Sequence, residues 1–229
     1  MDELSSLLKD TWSFFIRHLV PICVLIIPFI VPLNIFYAVA EIYSTDDNQL
    51  FWLAMIPGML IYPIYQAALI LYIASVVSGD YFPRKQYYKL SIKLWLPLML
   101  LYIITTCAVM VGLVLFIFPA LIVMARITFS EFYCVLNELK PMASFSASWE
   151  ATKEKQWIIL GGLIAIILVT TVPGWGVEKV VSILDAWNPV FTFILGTIES
   201  ILTVPLTIFG FRVFTLHQES FYKKRQGDE

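Results

Sequence analysis

Six long apolar stretches dominate this 229-residue sequence. A membrane-spanning helix needs about 20 predominantly apolar residues, and each stretch approaches or exceeds that length. Hydrophobic residue types make up 59% of the chain and charged types 14%, whereas soluble domains are typically about 45–50% apolar and about 25% charged. A water-soluble fold could not cover this much apolar surface. The predicted fold class is therefore all-α, a polytopic membrane protein with six transmembrane helices.

Three segments make up the predicted domain organisation. Residues 1–17 place apolar side chains at helical spacing among polar ones, which predicts an interfacial amphipathic helix lying flat on the membrane. Residues 18–216 form the six-span transmembrane domain, and residues 217–229 form a basic cytoplasmic tail. The spans are predicted at about Leu19 to Tyr43, Phe51 to Val77, Ile92 to Phe116, Phe118 to Leu136, Gln156 to Val172 and Pro189 to Leu216.

Prolines interrupt the first two spans, at Pro21, Pro28 and Pro32 and then at Pro57 and Pro63. Proline removes a hydrogen-bond donor and bends a helix, and inside a bilayer the freed carbonyls must find partners on neighbouring helices. These spans are therefore predicted to pack within a bundle. The six spans are expected to form three hairpins, each introduced by a cytoplasmic interfacial segment.

The basic residues predict the orientation of the chain, because lysine and arginine accumulate in cytoplasmic loops. With the N-terminus inside, Lys179 is the basic residue that lies clearly outside. Both termini are therefore predicted to be cytoplasmic. The residues on the cytoplasmic side or at its boundary are Lys9, Arg17, Arg84, Lys85, Lys89, Lys93, Lys140, Lys153, Lys155, Lys223, Lys224 and Arg225.

Three ionisable residues within spans are candidate functional groups, because charges inside a bilayer are costly to keep. They are Arg126 and Glu131 in the fourth span and Glu199 in the sixth. A rise of about 1.5 Å per residue places Arg126 roughly 12 Å and Glu199 roughly 15 Å from the outer ends of their spans. This similar depth suggests an Arg126–Glu199 ion pair lining a polar cavity. The alternative, which we favour, is a structural clasp between helices, with Glu131 pairing with Arg126 or reaching inward.

Two basic stretches are candidate lipid-headgroup contacts, since clustered lysine and arginine attract anionic headgroups. They consist of Arg84 and Lys85, and of Lys223, Lys224 and Arg225. The same residues also serve as topology anchors, and that simpler interpretation is favoured.

Catalytic and metal-binding motifs are not apparent in the sequence. The three cysteines, Cys23, Cys107 and Cys134, lie in different apolar segments and form no metal-ligand cluster. The glycines form no phosphate-binding loop. We therefore predict no enzyme activity, no cofactor and no metal.

Several short motifs resemble the YciC-like family of bacterial inner-membrane proteins. They are the residues from Lys9 to Arg17, the Pro-small-apolar break from Phe118 to Arg126, and the serine-rich segment from Lys140 to Trp149. The first outer loop is much shorter than in that family. The resemblance implies a multi-pass protein of the bacterial inner membrane, and no catalytic residues carry over because the family has no established activity.

Three classes of function follow. The favoured class is a non-enzymatic envelope protein that organises the membrane or scaffolds partners. The alternative is a small transporter or channel that uses Arg126, Glu131 and Glu199. A lipid-modifying enzyme finds no support in the residues. The expected partners are the lipid bilayer and other inner-membrane proteins, and not nucleic acid, with no oligomeric state specified.

Overall fold

The computed structural model describes residues 2–43, 49–184 and 188–227. Regular structure within these ranges is helical, which confirms the predicted all-α class. Six segments are long and apolar enough to cross a membrane: α2, α3, α4, α5 with α6, α8, and α9 with α10. The helices of the described residues are α1 (Asp2–Arg17), α2 (Leu19–Tyr43), α3 (Gln49–Ser78), α4 (Arg84–Leu115), α5 (Ile117–Ile127), α6 (Ser130–Leu136), α7 (Pro141–Ala151), α8 (Gln156–Ile183), α9 (Pro189–Leu202) and α10 (Val204–Gly227).

Helix α4 donates hydrogen bonds to the proline-containing regions of both α2 and α3. Tyr88 Oη donates to the Leu25 carbonyl at 2.9 Å, three residues before Pro28. Trp95 Nε1 donates to the Leu60 carbonyl at 2.8 Å, three residues before a proline of α3. Proline disturbs the backbone hydrogen bonds of the preceding turn, so these donors satisfy carbonyls in the weakened turns. Side chains of α4 thus supply hydrogen-bond donors to the turns that precede Pro28 and Pro63.

Helix α1 packs its apolar face against protein. Leu7 and Phe15 are buried in the hydrophobic core that α1 shares with α8 and α10. Two ion pairs add to this packing, Glu3 with Lys155 at 3.3 Å and Asp10 with Arg212 at 3.6 Å. The helix is therefore present, and part of its apolar face packs on the bundle while Trp12 and Ile16 of the same helix are exposed. Its interfacial position stays a prediction.

The predicted fourth span consists of two helices, α5 and α6, and the following helix α7 packs against both. Helix α5 ends at Ile127 and α6 begins at Ser130, and α7 then packs against α4, α5 and α6. The rings of Phe118 and Trp157 lie 6.2 Å apart, so the first turns of α5 and α8 are neighbours. The segment from α5 to α7 therefore brings the chain back beside α5, where α8 packs against it.

Close approach between helices depends on glycine at two positions. A Cβ atom at Gly112 of α4 would lie 2.8 Å from the Ala120 Cα atom, so glycine allows α5 to turn back tightly against α4. A Cβ atom at Gly162 of α8 would collide with the ring of Phe209, which is fully buried in α10. Glycine at this position therefore sets the distance between α8 and α10.

Substituting Gly162 by alanine should destabilise the bundle, because the added methyl group displaces the Phe209 ring. Overpacking of this kind costs about 1–3 kcal/mol. Gly176→Ala is the matched control, since it lies on the same helix and a Cβ atom there meets nothing within 4 Å. Unfolding of the purified protein by a denaturing detergent should show a loss of stability for Gly162→Ala alone. Equal stability of the two variants would contradict this packing.

Candidate functional site

A polar cavity lies among α2, α3, α9 and α10, within segments that are otherwise apolar. Its volume is about 470 Å³, within the range of about 300–1,000 Å³ that is common for ligand sites. Polar side chains in a membrane bundle usually mark functional or packing sites, because they are costly to bury unpaired. The polar residues that line the cavity are Asn34, Tyr62, Tyr65, Gln66, Glu199, Ser200, Thr203 and Thr207.

Gln66 of α3 links three helices at the wall of this cavity. Its amide Nε2 donates to Glu131 Oε2 of α6 at 2.8 Å and to Thr207 Oγ1 of α10 at 3.0 Å. The amide has two N–H donors, so both are used. The buried Gln66 thus holds the Glu131 carboxylate in place directly behind the cavity wall.

Glu199 of α9 is half-buried and lines the polar cavity itself. Its carboxylate lies against the backbone of Gly174 in α8, at a place that a side chain on residue 174 would fill. Within the described part of the chain, Glu199 forms no ion pair with a basic residue. The carboxylate therefore lies between the polar cavity and the backbone of α8.

A second cavity adjoins the first and is mainly apolar. Its volume is about 680 Å³, and it shares Tyr62, Tyr65 and Ser200 with the polar cavity. Methionine and aliphatic side chains form half of its remaining wall, among them Met55, Met59 and Met99. The two cavities therefore lie side by side, one polar and one mainly apolar, with three residues lining both.

Three tyrosine rings cluster where the two cavities adjoin. The Tyr62 ring centroid lies 5.2 Å from that of Tyr65 and 5.0 Å from that of Tyr102, in edge-to-face geometry. The Tyr102 hydroxyl is oriented toward Glu131, yet its oxygen is buried and has no well-formed hydrogen bond among the described residues. This end of the polar network is therefore incompletely satisfied.

Arg126 lies away from both cavities and does not pair with Glu199. Its Nη1 atom donates to the Trp149 carbonyl at 2.8 Å, and its guanidinium lies 5.3 Å from the centre of the Trp149 ring. The Arg126 carbonyl in turn accepts hydrogen bonds from Ser148 Oγ at 2.7 Å and Thr152 Oγ1 at 3.1 Å. The suggested Arg126–Glu199 pair is therefore wrong. Arg126 instead clasps α5 to the C-terminal end of α7, in line with the structural alternative.

Of the three ionisable candidates, the structure brings Glu131 and Glu199 to the same cavity and leaves Arg126 elsewhere. Glu131 accepts a hydrogen bond from Gln66, so the predicted pairing with Arg126, one of the two alternatives for Glu131, is not formed. Arg84 and Lys85 are exposed in the first turn of α4, where they contact no cavity. The side chains of Lys223, Lys224 and Arg225 lie outside the described part of the structure.

Most residues that line the site were not among the candidates predicted from the sequence. Those candidates were ionisable, and the two amides Asn34 and Gln66 were not among them. Their side chains interrupt long apolar runs in α2 and α3, and that interruption was the available signal. Asn34 Nδ2 lies 3.5 Å from Ser200 Oγ of α9, so both amides face partners on other helices.

Comparisons with known proteins identify no relative: no family model, curated protein or solved structure matches this chain. The resemblance to the YciC-like family therefore stays a prediction from the sequence motifs.

Replacing Gln66 by methionine should destabilise the bundle, because Glu131 and Thr207 lose their shared donor. Leaving a buried polar group unsatisfied costs about 1–3 kcal/mol, and more when the group is charged. The double variant Gln66→Met/Glu131→Met should be less destabilised than the two single variants added together, since no unpaired carboxylate remains. Unfolding free energies of all four proteins in detergent measure this coupling. Simple additivity would show that the hydrogen bond does not hold Glu131.

Proposed function

We propose that this chain is a non-enzymatic multi-pass protein of a bacterial inner membrane, with both termini cytoplasmic, that carries a small solute through the cavity among α2, α3, α9 and α10. The observation that carries the proposal is the cavity itself, a polar space beside a carboxylate inside an apolar bundle. In transporters, binding sites lie between spans and are built from broken helices and intramembrane polar residues.

The position of Glu199 supports transport over scaffolding. A protein that only organises partners gains nothing from an open cavity with an uncompensated carboxylate, because the isolated charge and the lost packing both lower stability. Glu199 lies where α8 carries glycine and α9 is followed by the break at Thr203 between α9 and α10. Such breaks in spanning helices are tolerated where they line a cavity. The scaffold interpretation therefore becomes one outcome of the test below.

Water access to the cavity can be tested by cysteine labelling. In a background with Cys23, Cys107 and Cys134 replaced by alanine, Ser200→Cys places a thiol where the two cavities meet. We expect a charged, membrane-impermeant thiol reagent to modify Ser200→Cys, because a solute pathway must admit water. Ser91→Cys is the control, since Ser91 is fully buried and should not react. Equal protection of both thiols would indicate a dry bundle and favour a scaffold.

The cellular counterpart is a deletion strain screened for sensitivity to solutes. We expect a solute-specific phenotype that the wild-type chain restores and Glu199→Gln does not, because the amide keeps the shape and removes the charge. Glu150→Gln is the matched control, since Glu150 is exposed and lines neither the polar cavity nor the adjoining apolar cavity. Full restoration by Glu199→Gln would exclude the carboxylate from transport.

A further inference from the structure

We infer that the ligand of the two adjoining cavities is an amphiphilic organic cation. Its protonated amine occupies the polar cavity and its apolar group occupies the apolar cavity. This inference rests on the proposed function and specifies its substrate class. Three properties of the cavities lead to it: the sign of their charge, the kind of hydrogen-bonding groups they leave unused, and their division into a polar and an apolar end.

The ionisable side chains of the site other than tyrosine are acidic. Glu199 lines the polar cavity. Glu131 lies behind the cavity wall, where its carboxylate accepts a hydrogen bond from Gln66. Among the described residues that line the two cavities, none is basic. Neither carboxylate forms an ion pair within the described part of the structure. Carboxylates in surroundings of low dielectric favour a cation strongly and reject an anion.

Several acceptors at the polar end have no donor among the described residues. Gln66 already uses both N–H donors, so its carbonyl oxygen is left over. Ser200 Oγ donates to the Gly196 carbonyl at 2.7 Å, and Thr203 Oγ1 donates to the Ser200 carbonyl at 2.8 Å. With these donors engaged, the two carboxylate oxygens of Glu199 and the remaining lone pairs demand donors from the ligand. An alkylammonium group supplies three donors and no acceptor.

The apolar cavity indicates that the ligand has a hydrocarbon part and is larger than a bare metal ion or a proton. The larger cavity is lined by methionines, which adapt to irregular apolar shapes. Tyr62 and Tyr65 line both cavities, and Tyr102 lines the apolar one. Aromatic faces attract organic cations as well as apolar groups. A ligand that spans both cavities would therefore place its charge near Glu199 and its hydrocarbon part among the methionines.

Binding of 4-phenylbutylammonium tests the inference, with two probes of nearly the same shape as comparisons. The neutral 4-phenylbutanol keeps the apolar part and removes the charge, and 4-phenylbutanoate reverses the charge. Equilibrium dialysis of the purified full chain in detergent, with empty micelles subtracted, gives the three affinities. We expect saturable binding of the ammonium, affinity for the alcohol weaker by about tenfold or more, and no specific binding of the carboxylate.

Glu199→Gln should remove this preference. The ammonium affinity should fall by about tenfold, while the affinity for the neutral alcohol should stay the same. Glu150→Gln, which removes the same charge outside both cavities, should leave all three affinities unchanged. Equal affinities of the wild-type protein for the ammonium and the alcohol would overturn the inference without any variant. An unchanged preference in Glu199→Gln would overturn it as well.

The labelling experiment separates failure of this inference from failure of the proposed function. If Ser200→Cys reacts with the impermeant reagent but 4-phenylbutylammonium neither binds nor slows the reaction, the cavity admits solutes and the ligand class is wrong. If Ser200→Cys does not react, the solute pathway itself is wrong and the inference falls with it. Slower labelling by the ammonium, with no effect on a Ser13→Cys thiol exposed on α1, would support both.

Discussion

The hydrogen bonds of one buried amide hold the centre of this structure together. The core of a bilayer contains no water that could form hydrogen bonds with unpaired polar groups. A polar residue within a span therefore requires hydrogen-bond partners on neighbouring helices. Gln66 of α3 meets that requirement with Glu131 of α6 and Thr207 of α10. Since α6 belongs to a short broken segment, this bond also fixes where that segment inserts into the bundle. The same residue lines the polar cavity, so the cavity wall and the hydrogen-bond network share one side chain.

The helices and their class could be predicted from the sequence because they depend on local composition. Apolar runs of the length of a bilayer lead to helices wherever they occur, and the described helices confirm the six runs. The prolines also carried useful information, since carbonyls near Pro28 and Pro63 receive side-chain hydrogen bonds from α4. These features need no knowledge of which helix lies beside which.

The site could not be predicted to the same extent, because it depends on contacts between distant segments. Estimating depth along separate straight helices suggested that Arg126 and Glu199 lie at one level. The fourth span, however, is broken between α5 and α6, and α7 returns beside it. That return offers Arg126 the Trp149 carbonyl and ring. A span drawn as one straight helix has no place for this partner, so the pairing of Arg126 could only come from the fold.

The two acidic residues of the site illustrate how the same side chain serves two purposes. Glu131 is held by Gln66 at 2.8 Å behind the wall. Among the described residues, Glu199 has no such partner, and its carboxylate lies beside the backbone of Gly174. Removing the first should damage the bundle before it damages binding, whereas removing the second should change binding with little loss of stability. The difference follows from which carboxylate the fold has already satisfied, and it is the reason for proposing Glu199 as the residue that a ligand contacts.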